Sequence, residues 1–382
     1  MIRSLYIFLF ILLLFVTSCM KQPVLSVKNN LFDQSNAEDL GLEMPLGLET
    51  ATIYSASDST DKYCNGAVAI AFKDRIYCMW QSSEQDEDSH DTRVVYSYSD
   101  DGKIWTNPGI LAASPDSGYC TSGGWWQYGD TLVAYINEWT YEESPRYCRV
   151  KYMLSTDGIN WSGKKTVRWL HGEEMIGAFE QDPHQIASGR IINAVHVSPG
   201  LHLSPIFTDD PSGISGWQQG QMNNMEYKGD VTRELEPSSY LRKDGALVMV
   251  FRDQKSSFCK LASVSLDEGR SWSTPVITDM PDSRSKQSAG NLSDGTAYFV
   301  SNPVNSKMRY PLVLTLSDDG KIFNKAYVLR KSSELPSLKY DGKYKREGYH
   351  YPKSMVYNDC LYIAYTTNKE KVEITKVSLK GL

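Results

Sequence analysis

The chain has 382 residues, with 40 Lys and Arg against 46 Asp and Glu, for a formal net charge of -6. That balance, without a basic stripe, argues against a nucleic-acid partner. Apolar residues make up 41% of the chain, enough to bury one large core or two small ones.

The chain opens with Arg3 and an unbroken apolar run from Leu5 to Val16. This reads as a secretory signal, too short to span a bilayer as a mature helix. Its ending, Val16-Thr17-Ser18-Cys19, resembles a bacterial lipobox. That resemblance implies that Cys19 is lipidated and becomes the mature N-terminus. The expected protein is therefore exported and held at the cell envelope, with membrane contact through the lipid alone. Residues 20–49 lack strong periodicity and are expected to be a flexible tether. Residues 50–382 then form one domain, expected as a monomer.

Six cysteines follow Cys19, far apart and without a C-x-x-C pair, so no zinc site is expected. An exported setting permits disulfides, but Cys78 and Cys360 sit in apolar runs that suit buried free thiols. No segment asks for a metal, nucleotide or flavin. The acidic loop Glu84 to Asp91 lacks the glycine-punctuated spacing of a calcium loop.

Short apolar or alternating runs come next: "RIYCMW", "RVVYSYS", "TLVAYIN", "RVKYMLS", "GRIINAV", "ALVMVFR", "CKLASVS", "TAYFVSN", "PLVLTLS" and "CLYIAYT". Each has the length and composition of a strand. No long stretch shows a 3.6-residue apolar period. Four runs lead into related boxes: "YSDDGKIW", "LSTDGINW", "SLDEGRSW" and "LSDDGKIF", with a looser "TDDPSGISGW". From Trp105 through Trp161, Trp217 and Trp272 to Phe323, the gaps are 56, 56, 55 and 51 residues. A fixed period of this size marks a repeat architecture. The expected fold is all-β, a six-bladed propeller with four-stranded antiparallel blades.

The box has a structural role. Its glycine allows a positive φ, its aspartate caps backbone N–H groups, and its aromatic ring buries apolar surface. A catalytic role for Asp267 and Glu268 would require the same chemistry at five places around one ring. Aligned on the aromatic, the first box has Tyr98 at the serine position and the second has Thr156 at the aspartate position.

Between the boxes lie other candidates. "SGGWWQYGD" puts Trp125 and Trp126 on opposite faces of a strand, core on both sides or core and sugar platform. Glu180, Gln181 and His184 precede a strand start. Arg233 and Glu234 could form an ion pair beside Glu236.

The S-x-D-x-G-x-x-W repeats resemble the Asp boxes of the sialidase superfamily, which are six-bladed propellers. The stretch from Glu234 to Trp272 is similar to the sialidase segment in which a glutamate begins one strand and an arginine ends the next. The resemblance implies Glu236 and Arg252 in those places. It further implies Arg309 at the start of the strand leading to Phe323, and Tyr351, with Tyr349 as rival, before the last strands. Such a family implies a retaining exo-glycosidase with a tyrosine nucleophile, a glutamate that takes its proton, and arginines that clamp a sugar carboxylate. The general acid falls in "EQDEDSHDTRVVYS", at Asp88, with Asp86 and Asp91 as rivals. Clustered acids on a solvated loop are the plainer reading.

The sequence also departs from the family. Its first-strand arginine is replaced at Cys64, and no arginine lies between Arg3 and Arg75. Three functions stay open. The first is a sialidase-like glycosidase removing a terminal acidic sugar from a complex glycan. The second is a glycan-binding propeller without catalysis. The third is a lyase cutting beside a uronic acid, with His184, His350 or Tyr351 as base.

Overall fold

The computed structural model describes residues 23–141 and 147–382. Cys19 and the apolar run before it lie outside the described residues. Within them, the chain forms six antiparallel sheets that repeat in sequence. The first blade spans residues 63–112, the second 118–166, the third 177–219, the fourth 234–281 and the fifth 288–330. The sixth takes three strands from residues 349–378 and its outer strand from Glu49–Ser55, so the two ends of the chain close the ring. All ten expected runs lie in strands. The fold is the expected propeller.

Each box is a turn between the third and fourth strands of a blade. Ser265 Oγ donates to Asp267, and the Gly269 N–H donates to Ser265 Oγ at 2.9 Å. The same pattern recurs at Ser99, Asp101 and Gly102, at Ser155, Asp157 and Gly158, and at Ser317, Asp319 and Gly320. Aligning the boxes on their aromatic residue therefore misplaces three of them by one residue. The working aspartates are Asp101, Asp157 and Asp319, and the box at Ser265 carries one extra residue. That residue is Glu268, at φ 57°.

The box aromatics join neighbouring blades. Trp105 packs with the sixth blade's Tyr362 and Ile374. Trp161 joins Tyr77 and Val94 of the first, and Trp217 joins Tyr135 and Val150 of the second. Trp272 meets Ile192 and Phe207 of the third, and Phe323 meets Tyr240 and Val250 of the fourth. Each ring thus rivets its blade to the one before it. Trp125 and Trp126 also pack between blades, with indole N–H groups on the carbonyls of Val68 and Pro211, so neither is a sugar platform.

The tether expectation needs correction. Leu25, Phe32 and Leu40 are buried in one cluster with Tyr240, Phe299 and Phe323 of the fourth and fifth blades. Ser26–Val27 pairs in parallel with Ile322–Phe323, and Glu38 accepts hydrogen bonds from Ser332 and Ser333. Three apolar residues spaced irregularly in a polar segment give no periodic signal, yet they suffice to dock it. Among the described residues all six cysteines are free thiols. Cys64, Cys78, Cys120 and Cys148 are buried, whereas Cys360 is only half-buried.

Leu25→Ala should lower stability by about 2–5 kcal/mol, the range for truncating a buried leucine. Urea unfolding measures this. A free tether would show no loss.

Candidate active site

Six inner strands face one axis, and in several the ladder slips at the same height. In the first blade the register shifts between Asn65 and Val68, and in the second between Ser122 and Gly124. In the fourth it shifts between Leu235 and Ser238, and in the sixth between His350 and Lys353. The third blade's inner strand breaks outright between Phe179 and His184. A bulge releases one residue from pairing and re-aims its side chain.

The released residues are informative. Gly66 sits at φ 62°, and its carbonyl accepts Ser122 Oγ and Gln181 Nε2, each at 2.6 Å. A Cβ there would come within 3.2 Å of Gln181. Glu236 and Tyr351 are also left-handed, at φ 52° and 53°, and each precedes a proline. Non-glycine residues in that region are strained, and such strain concentrates at functional sites.

These breaks surround a cavity of about 210 Å³. Its lining includes Asp88, Glu180, His196, Glu236, Lys286 and Tyr351. Of the expected residues, Asp88, Glu236 and Tyr351 therefore reach one space. Arg252 joins them through a 3.0 Å ion pair from its guanidinium to Glu236. The Arg309 guanidinium lies 5.1 Å from the centre of the Tyr351 ring.

Each rival is tied up elsewhere. Tyr349 is fully buried and donates to the Lys331 carbonyl. Asp86 caps the Lys343 N–H, and Asp91 accepts from Glu84 N–H and Ser89. Arg233 pairs with Asp253 through two bonds of 2.8 Å, not with Glu234. His184 contacts Ser239 and lines a separate hollow. His350 has both ring nitrogens engaged, one by Arg309 at 3.0 Å and the other by the Arg346 carbonyl. Burial and Arg309 hold its pKa well below the ordinary value, so it is a neutral strut for Arg309.

On the first blade, Cys64 points into the apolar cluster shared with the sixth blade. The neighbouring Asn65 faces the cavity and contacts Glu87 and Thr366. A cation does reach this side, from another strand end. Lys369 is buried, pairs with Glu87 at 2.5 Å, and lies 5.7 Å from the Tyr63 ring and 5.8 Å from the Tyr351 ring.

The protonation states are set by this crowd. Burial opposes charge on Glu236, but Arg252 and Lys286 outweigh it and hold its pKa below the ordinary carboxyl value. Burial, followed by the Glu236 charge, pushes the Tyr351 phenol well up. The pair is a carboxylate beside a neutral phenol.

Four cations went unrecognised in the sequence. Lys286 bridges Glu180 at 2.7 Å and Gln181 at 2.8 Å. Arg284, at φ 57°, feels the charges of Arg252, Glu236 and Arg309. Arg346, at the rim, is coupled to Arg309 and Tyr351. Lys369 is the fourth. Desolvation and the neighbouring arginines lower the pKa of both Arg284 and Arg346. Among the described residues, no carboxylate pairs with Arg284, Arg309 or Arg346. His196 was missed as well. Its Nδ1 lies 3.1 Å from Glu180, and its Nε2 is buried without a partner. The clue available was position, because "DSRSKQS" leads into an inner strand and "ELEP" opens another.

A ring of blades with its charged groups gathered at the axis defines a propeller of the sialidase-like, BNR-repeat class. The chain belongs to the BNR repeat-like domain family, whose model matches residues 74–363. Among solved structures, a sialidase superposes with a TM-score of 0.63 at 17% identity, over 93% of this chain and 35% of its own. The chain thus spans about a third of that sialidase's length. A Hadza microbial sialidase gives 0.67 at 13% identity, over 87% and 69% of the two chains. The intramolecular trans-sialidase from Ruminococcus gnavus, in complex with oseltamivir carboxylate, gives 0.61 at 13% identity, over 90% and 99%. At these identities the likeness is one of fold. No curated protein matches the sequence.

Glu180 and Glu236 both titrate below the ordinary 4.5. A depressed carboxyl stabilises the fold above its unfolded pKa, and the benefit is lost as pH falls through the folded value. Lys286→Met removes a cation from both groups. The midpoint of acid unfolding, followed by tryptophan fluorescence, should move to higher pH. An unchanged midpoint would show that Lys286 does not hold these carboxylates.

Proposed function

We propose that this protein is an exo-acting retaining glycosidase that removes a terminal acidic sugar, sialic-acid-like or related, from complex glycans. One observation carries the reading. A neutral tyrosine and an ionised glutamate line one cavity, and buried Arg309, which pairs with no carboxylate among the described residues, lies 5.1 Å from the tyrosine ring. Buried cations without counter-ions are costly, and an anionic ligand removes that cost. Arg309, Arg284 and Arg346 supply the charge that the first strand lacks at Cys64. A guanidinium fork matches a carboxylate in a planar, bidentate way.

In this reading the Tyr351 oxygen attacks the anomeric carbon while Glu236 takes the phenolic proton. Asp88 protonates the departing glycosidic oxygen. In the second half, Asp88 accepts a proton from water, the water oxygen replaces Tyr351 at the same carbon, and Glu236 returns the proton to the phenol. Two displacements retain configuration. A neutral phenol suits an anionic substrate, because a carboxylate nucleophile would face the sugar's own charge.

Of the histidines read from the sequence as lyase bases, His350 has both nitrogens occupied and His184 lines a hollow apart from Tyr351 and Glu236. Release of a sugar, not binding alone, separates catalysis from a purely glycan-binding role.

The test is hydrolysis of aryl α-glycosides of sialic and uronic acids, with released sugars read by mass spectrometry. Glu236→Gln should lower kcat by about 10²–10⁴-fold, the usual weight of a general base. Tyr351→Phe should abolish turnover on the same substrates. Full activity in Tyr351→Phe, or binding with no product from any acidic glycan, overturns the reading.

A further inference from the structure

Beside the central cavity is a second hollow, of about 510 Å³, bounded by Tyr227, Lys228, Gln254, Lys255 and Arg284, with Glu226 as its one carboxylate. Its size lies in the range of small-ligand sites. It joins the central site through one chain of contacts. Arg252 donates to Glu236 on one side and to Gln254 on the other, each at 3.0 Å.

We propose that this hollow is a second subsite, which takes an acidic sugar adjoining the one held at Tyr351 and Glu236. The inference rests on the function proposed above and names a further element of the substrate.

Three observations converge. First, charge is unbalanced: among the described residues, Lys228, Lys255 and Arg284 have no carboxylate partner. Second, Arg284 is held in a left-handed backbone at φ 57°, and its Nε is buried without a hydrogen bond. A strained residue with an unsatisfied buried donor calls for an explanation, and a ligand acceptor supplies one. Third, Tyr227 is 38% exposed at the edge and loosely held, its hydroxyl 3.4 Å from the Gln254 carbonyl. An exposed ring beside polar groups suits the apolar face of a sugar. A neutral sugar would leave Lys228 and Lys255 uncompensated. A carboxylate or sulfate on the neighbouring residue meets them.

The test uses the full chain carrying Tyr351→Phe, so that ligands stay intact. Calorimetry compares α2,8-linked disialic acid, whose second sugar is acidic, with sialyl-α2,3-lactose, whose second sugar is neutral. The acidic neighbour should bind about tenfold more tightly, the effect of one charge-assisted hydrogen bond. Tyr227→Ala combined with Lys255→Ala should erase that advantage. Both positions are on the rim, so folding is spared. Equal affinities for the two ligands, or an equal loss on both in the double variant, overturn the subsite. Lactose 6′-sulfate probes the hollow directly, because it lacks the sugar assigned to the central cavity. Its binding, read by saturation-transfer NMR, should fall in the double variant and persist in Arg309→Gln. No binding, or binding indifferent to the double variant, overturns the subsite. Disialic acid binding that Arg309→Gln leaves unchanged overturns the central reading instead, so the two failures differ.

Discussion

Everything at the centre depends on a break in hydrogen bonding. Inner strands that kept regular pairing would present only alternating side chains along the axis, at heights set by the pleat. The slips at Gly66, between Ser122 and Gly124, and at Glu236 and Tyr351 release the chain from that pleat. Glycine tolerates the required φ, but glutamate and tyrosine do not accept it readily. The prolines after Glu236 and Tyr351 lack the N–H that an unbroken ladder would use. The strain is sustained because the rest of each blade is well paired and riveted to its neighbour.

Charge is the second organising constraint. The axis gathers Arg252, Lys286, Arg309 and Lys369 around few carboxylates. Two of these cations are neutralised within the protein, Lys369 by Glu87 and Lys286 by Glu180. Arg252 shares the same carboxylate that faces the Tyr351 phenol. Desolvation, and after it repulsion from neighbouring arginines, holds Arg284 and Arg346 below the ordinary guanidinium value. Such an arrangement is stable only while the scaffold over-determines it. His350, wedged between Arg309 and the Arg346 carbonyl, is one such brace.

Much of the fold was legible because the box repeats at a nearly fixed period and its residues act locally. A serine, an aspartate and a glycine within four or five positions close their own turn. The candidate site was legible where it sits beside a box or a strand end, as with Glu236, Arg252, Arg309 and Tyr351, and at Asp88 through the loop that leads into a strand. Cys64 was misleading because strand alternation turns it toward the core and leaves Asn65 to face the axis. The compensating cations come from other blades, on segments without a repeat, so no spacing connects Arg284 or Lys369 to the first strand. Residues 23–48 were hidden for a similar reason: their partners are more than two hundred residues away.

That docked segment changes how the ring meets mechanical load. The closing strand Glu49–Ser55 is an edge strand, held on one side only, and an edge is peeled most easily from its free end. A pull from the N-terminal side reaches it only after Leu25, Phe32 and Leu40 leave their pocket between the fourth and fifth blades. The force is therefore taken up by the fourth and fifth blades. The seam that completes the sixth blade, and with it the seating of Tyr351, is shielded from whatever tugs on the chain.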